Sequence, residues 1–122
     1  MRIELAWWSL AESDPQPPQL RARLDESVHR EWHGVKNLAM KLWLESIQPP
    51  RWGALTIWEG EKPEVATLPV NLSAKWIGRP ADQYFSFEAT VCMRGQLTEA
   101  WLGSLMEQIE MSLGKNIPAA TS

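Results

Sequence analysis

An α+β fold of the split βαβ, ferredoxin-like kind is predicted by this 122-residue sequence, and three observations carry that reading. Alternating polarity recurs in four stretches, "RIELAWWSL", "NLAMKLWLE", "WGALTIWE" and "YFSFEATVCM", as expected of strands with two unlike faces. A helical period separates the first strand from the second, and another separates the third from the fourth. The order strand, helix, strand, strand, helix, strand is that of the ferredoxin-like arrangement, here with one more helix at the end.

Each element has its own justification. After the first strand, "SDPQPP" reads as a loop, because its prolines withhold backbone donors. Over residues 19–33 the apolar Leu20, Leu24, Val28 and Trp32 fall at every fourth position, which predicts one amphipathic helix that stops at Gly34. "SIQPPR" joins strands two and three as a hairpin turn. In the third strand, "RWGALTIW", Gly53 is expected to make a tight turn. "KPEVATLPVNLSAKWIG" reads as a turn and then a helix from about Pro69, ended by Gly78 and Pro80. The last helix is placed over residues 98–113, with Thr98 as its N-cap, Gly114 as its stop, and Trp101, Leu102, Leu105, Met106, Ile109 and Leu113 on one side. Residues 1–114 thus form a single domain, and residues 115–122 a flexible tail.

Twelve basic residues against fifteen acidic ones give a net charge of −3, with no basic run. That weighs against a nucleic-acid backbone as partner. The start lacks the pattern of a signal peptide, and no window is long and apolar enough for a membrane span, so a cytoplasmic location is expected. Cys92, the single cysteine, cannot form an internal disulfide and is a poor candidate nucleophile. Eight tryptophans beside one tyrosine and two phenylalanines are the compositional oddity. Indole rings concentrate in cores, interfaces and ligand walls.

Strand alternation sorts the side chains into two faces. One is apolar: Ile3, Leu5, Leu42, Leu44, Leu55, Ile57, Phe85, Phe87, Ala89 and Val91. The helices are expected to pack there. The other carries Glu4, Ala6, Trp8, Lys41, Trp43, Glu45, Trp52, Ala54, Thr56, Trp58, Ser86, Glu88, Thr90 and Cys92. Tryptophans in that number need a covering. RNA-recognition domains share this strand order and stack bases on third-strand aromatics. Their signature wants aromatics where "RWGALTIW" has Gly53 and Leu55, so RNA is not the expected covering. The sheet of a second subunit and the C-terminal helix are the other two.

"KLWLESIQPPRWGALTIWEGEKPEVA", with "GRPADQYFSFEATV" downstream, resembles the dimeric α+β barrel superfamily and, within it, the small YdhR-like monooxygenase group. Lys41, Trp43 and Leu44 match a "K-x-W-L" second strand, Gly53, Trp58 and Glu59 a "G-G-x-x-x-W" third strand, and Gly78 and Pro80 a "G-x-P" turn. Trp52 stands where the first glycine of that pair is usual. The likeness covers roughly residues 1–95, and the C-terminal helix departs from the shortest members. It implies a homodimer with two sheets face to face, the mixed face lining the space between them. It also implies cofactor-independent oxygenation of electron-rich aromatics for some relatives, haem degradation or isomerisation for others, and no known activity for many.

A cofactor-free oxygenase needs a dry cavity, a base that makes the substrate anion, and a donor for developing negative charge. Glu4 and Glu88 are candidate bases, provided desolvation raises their pKa, and Lys41 is a candidate donor; together these three are the catalytic candidates. Competing with that is a structural cross-strand pairing of Lys41 with Glu4, Glu45 or Glu88. Trp8, Asn37, Trp43, Trp52 and Trp58 are the candidate substrate-binding residues. No metal site is expected: His29 and His33 are four apart, with no third ligand at helical spacing. No phosphate loop, CxxC or local catalytic triad motif occurs. No cofactor is therefore expected, with haem left open because its histidine ligand follows no local pattern. The function expected is a monooxygenase-like homodimer holding a small aromatic molecule in a Trp-lined barrel cavity between sheet and helices. The alternative is a non-catalytic small-molecule-binding or structural homodimer.

Overall fold

The structure, a computed structural model, describes residues 1–114, with side chains through residue 107. It is an α+β fold around a four-stranded antiparallel sheet. The strands are β1 (Arg2–Ser9), β2 (Leu38–Ile47), β3 (Pro50–Trp58) and β4 (Gln83–Glu88), in the order β2-β3-β1-β4. The helices are α1 (Pro17–Ala22), α2 (Glu26–His33), α3 (Leu72–Ile77) and α4 (Thr98–Gly114). Order and pairing are compatible with a ferredoxin-like fold. The tail expected over residues 115–122 lies outside the described residues, as do the side chains of Ile109 and Leu113.

The helix expected over residues 19–33 is two helices. Asp25 adopts an extended conformation, and its carboxylate accepts from the backbone N–H groups of Ser27 and Val28. A side chain that caps a new helix competes with continuing the old one, which is why Asp is an N-cap residue. Upstream, Pro17 and Pro18 are no loop but the first turn of α1, where a missing N–H costs nothing. Helix α3 starts at Leu72 rather than near Pro69, capped by Asn71, and ends at Gly78 with φ +92°. Thr98 is the first residue of α4 and not its cap; its hydroxyl donates to the Gly95 carbonyl at 2.8 Å. Gly114 lies within that helix. Strand β4 ends at Glu88, so Ala89, Thr90, Val91 and Cys92 do not extend the two faces.

Gly53 makes no turn. It sits mid-strand opposite Trp7, and a Cβ built there would meet the Ala6 carbonyl oxygen at 2.4 Å and Trp7 Cβ at 2.8 Å. Backbone cannot yield as a flexible side chain does, so Gly53→Ala pushes β1 away from β3. We expect it to cost about 1–3 kcal/mol, the usual range for overpacking, read as a lower thermal midpoint with an unchanged far-UV spectrum.

Cross-strand register bears out the sorting of strand residues into two faces. Leu42, Leu55, Leu5 and Phe85 form one row across the apolar face, while Lys41, Thr56, Glu4 and Ser86 form one across the other. The covering is reversed from the expectation. Helices α1, α2 and α3 pack on the tryptophan face, where Trp8, Trp52, Leu20 and Ile77 form one buried cluster with Leu24, Trp43, Ala74 and Trp76 against it. No residue of the apolar face of the sheet is fully buried apart from Gly53, and Leu44, Phe85 and Phe87 are exposed. Contact area explains the choice. Each indole brings ~150–250 Å² to a core, which outweighs a few charges, provided those charges find partners or a solvent-connected cavity.

Candidate functional site

The indole donors show how the tryptophan face is satisfied. Trp8 Nε1 donates to the Arg79 carbonyl at 2.9 Å, Trp52 Nε1 to Ser73 Oγ at 2.9 Å, and Trp58 Nε1 to Glu4 Oε1. Trp8, Trp52 and Trp58 are fully buried. Between them and the helices remains a cavity of about 730 Å³, bounded by the sheet, α2, the loop before α3, and α3 itself. Six aromatic side chains, Trp8, Trp32, Trp43, Trp58, Trp76 and Tyr84, line it among aliphatic ones. That volume falls within the range of small-molecule sites.

Glu4 anchors the polar end. Only 6% exposed, it accepts from Trp58 Nε1, from the Tyr84 hydroxyl and from Lys62 Nζ at 2.9 Å, with Arg2 at 3.4 Å. Burial by itself pushes a carboxyl up; here the bonds from Tyr84, Lys62 and Trp58 together outweigh it and hold Glu4 below its ordinary value. Glu4 is therefore a fixed anion, not the raised-pKa base the sequence suggested.

Two ammonium groups share the wall with Glu4: Lys62, which is paired with it, and Lys41. Its Nζ donates to Thr56 Oγ1 at 3.3 Å and lies 4.1 Å from the ring centroid of Trp32 and 5.3 Å from that of Trp43. Among the described residues no carboxylate comes within salt-bridge distance of it. The expected cross-strand pairing is thus absent: Glu45 pairs with Arg21 at 2.6 Å, and Glu88 with the N-terminus at 3.6 Å. Desolvation pushes the Lys41 ammonium down to about 8, with nearby Glu4 opposing and Lys62 assisting.

At the Trp8 end, Arg79 closes the wall from outside. It pairs with Asp14 at 2.9 Å and Asp82 at 3.2 Å and donates to the Ser9 carbonyl, while Asp82 accepts from the Ser9 N–H. The guanidinium holds both carboxyls below their usual range. The carbonyl fixing Trp8 therefore belongs to a residue itself clamped on three sides.

Of the residues singled out from sequence, Glu4, Lys41, Trp8, Trp43 and Trp58 meet at this cavity. Three do not. Glu88 is exposed at the sheet edge. Trp52 is packed beneath the wall with its donor spent on Ser73. Asn37 is a turn residue with φ +66°, its amide donating to the Glu61 carbonyl at 2.7 Å, as Asn tolerates the left-handed region. His29 and His33 stack on each other, exposed, on α2. Neither reaches the cavity, and no group of His, Cys, Asp and Glu among the described residues is arranged to hold a metal.

Sequence reasoning missed Trp32, Lys62, Trp76 and Tyr84. Tyr84 was within reach, since period-2 alternation puts it on the face of Ser86 and Glu88. Trp32 read as helix core, and Lys62 lies in a loop that no periodicity describes. No protein-family model matches the chain, and no curated protein matches it significantly. No helix of the described residues is long and apolar enough to cross a membrane.

Proposed function

We propose that this chain binds a small aromatic molecule in the cavity between its tryptophan face and its helices and acts on it as a monooxygenase without a cofactor. The observation that supports this best is the wall itself: six aromatic side chains around about 730 Å³, with one carboxylate locked in place and one ammonium without an anion. The dimeric α+β barrel group suggested by the sequence is kept in this proposal with one change: the tryptophan-lined cavity lies on the helix side of the sheet rather than between two sheets.

Oxygenation of this kind starts from a substrate anion in a dry site. Lys41, which burial brings within reach of its neutral amine near pH 8, is the group able in that form to take a phenolic proton and then to hold the phenolate as its ammonium. The buried indoles of Trp8 and Trp58 form the dry floor of the site. For a phenol-type ring the substrate supplies the electrons, one oxygen atom becomes a ring carbonyl, and the other leaves as water. Glu4 serves as positioner of Tyr84, Trp58 and Lys62. The closed state of that carboxylate favours the second reading, a binding homodimer without turnover.

The same proposal gives the open apolar face its covering, the sheet of a second copy in an isologous dimer. Light scattering on the purified protein is expected to return twice the chain mass. Phe87→Glu, on a residue already 53% exposed in the single chain, is expected to give a folded monomer. Tryptophan fluorescence titrated with phenols and polycyclic aromatics is expected to saturate with one chemical class, and that class is then assayed for oxygen uptake. A wild-type monomer sinks the barrel, and a dimer whose fluorescence no aromatic perturbs sinks the ligand. Saturable binding without oxygen uptake selects the non-catalytic reading.

A further inference from the structure

The ionisable side chains on the cavity wall are Glu4, Lys41, Lys62 and Tyr84. Lys62 is committed to Glu4 at 2.9 Å. Lys41 has a hydroxyl, Thr56 Oγ1, and two indole faces for neighbours. Two ammonium groups against one carboxylate leave the wall with one positive charge and no anion to meet it. Keeping a charge on a mostly apolar wall is costly unless it is paired.

We infer that the ligand of this cavity is an aromatic anion, a ring compound bearing an acidic oxygen, whose ring lies among the indoles and whose oxygen meets the Lys41 ammonium. This deepens the proposed function and rests on its aromatic cavity. Three features define the place of the oxygen. The Trp32 and Trp43 rings flank Lys41 Nζ and offer it cation–π attraction only. The Thr56 hydroxyl, which accepts from Lys41, keeps its own proton for a second hydrogen bond. Beside Glu4 the Lys62 ammonium is already taken up, so that part of the wall offers an anion no free cation.

Two sources supply this chemistry, a carboxylic acid and an acidic phenol, and proton accounting separates them. The charged and titratable groups facing Lys41 are Glu4 from β1, Lys62 from the loop after β3, and Tyr84 from β4; α2 presents Trp32, while its His29, Arg30, Glu31 and His33 are exposed. Above about pH 8 the empty site begins to lose the Lys41 proton. A carboxylate must then take up a proton to bind, whereas a phenol brings its own.

Calorimetric titration with 2-naphthoate, 2-naphthol and neutral 2-naphthamide tests this, on wild type, Lys41→Met and Lys41→Arg. We expect either or both acidic compounds to bind at least about tenfold tighter than the amide at neutral pH, the scale of a partly buried charge pair. Lys41→Met is expected to bring them down to the amide, and Lys41→Arg to retain the preference. Proton uptake at pH 9, read from buffers of different ionisation enthalpy, marks the carboxylate, and its absence the phenol. Equal affinity for acid and amide, or a preference that survives Lys41→Met in a variant with native near-UV spectrum, overturns the inference while leaving the aromatic cavity standing. Failure of all three compounds to bind overturns both.

Discussion

Glu4→Leu is expected to lower stability at neutral pH by about 3–5 kcal/mol, the range for removing one partner of a buried charge pair. Leucine fits the volume but accepts nothing. Trp58 Nε1, buried on a residue 1% exposed, then loses its acceptor, and the Tyr84 hydroxyl and Lys62 ammonium lose theirs. Lys62 and Tyr84 recover by turning to water, since both are partly exposed. Trp58 cannot turn. Glu4→Gln keeps an acceptor for the indole and is expected to cost less than half as much, which isolates the part due to charge.

The pH profile gives the second readout for Glu4. Its folded pKa lies below the ordinary 4.5, so its stabilisation is fully present above that value. As pH falls the unfolded chain takes up the proton first, and the stabilisation is lost as pH drops through the folded pKa. Wild type is therefore expected to lose thermal stability steeply below about pH 4.5. Glu4→Gln is expected to show a shallower acid limb, to which Asp14 and Asp82, held down by Arg79, and Asp25, held down by Ser27, still contribute. An acid limb as steep in Glu4→Gln as in wild type defeats the assignment.

How much of this was legible in the sequence follows from which forces leave a periodic trace. The strands were, because alternation survives in "RIELAWWSL" and "WGALTIWE", and the register then set Trp8 opposite Trp52 and Glu4 opposite Thr56. Which face the helices would take was not. Counting polar residues favoured the face with Leu5, Leu42 and Leu55, yet the indole face has the larger contact area and carries donors that need a buried acceptor. The break in the first helix was written in Asp25, whose capping signal is local and was overridden by the longer Leu20, Leu24, Val28, Trp32 period. Partners such as Lys62 for Glu4 depend on a loop conformation set by tertiary contacts, including the Asn37 bond to the Glu61 carbonyl, and no spacing announces them. Lys41 shows the same limit from the other side: its strand neighbours suggested a salt bridge, and the geometry turned it toward two rings and a hydroxyl.

Lys41→Met is expected to stabilise the protein while removing the charge that the proposed ligand would meet. The free ammonium, ordinarily near 10.5, is pushed down to about 8 by desolvation, and a tenfold change in proton affinity is about 1.4 kcal/mol. Burying the charged form at neutral pH thus costs on the order of 3 kcal/mol. Cation–π attraction to Trp32 and Trp43 returns about 1–2 kcal/mol of this. Methionine keeps most of the stem's volume and pays no desolvation, so the net gain expected at pH 7 is roughly 1–2 kcal/mol. The pH dependence separates this from simple repacking. Because the folded pKa is the lower one, the cost is fully present below about pH 8 and disappears as pH rises toward 10.5, where the unfolded chain still holds the proton that the folded chain has released. Wild type should gain stability on Lys41's account across that window, and the variant should not, so the two curves converge as the solution becomes alkaline. Denaturant midpoints at pH 7 and near pH 10 measure the convergence directly. A variant less stable than wild type at both values means that the ammonium is a structural tie to its two rings. A gain confined to neutral pH means that the fold tolerates an unfavourable charge at the wall of its cavity, as expected of a position held for binding rather than for stability.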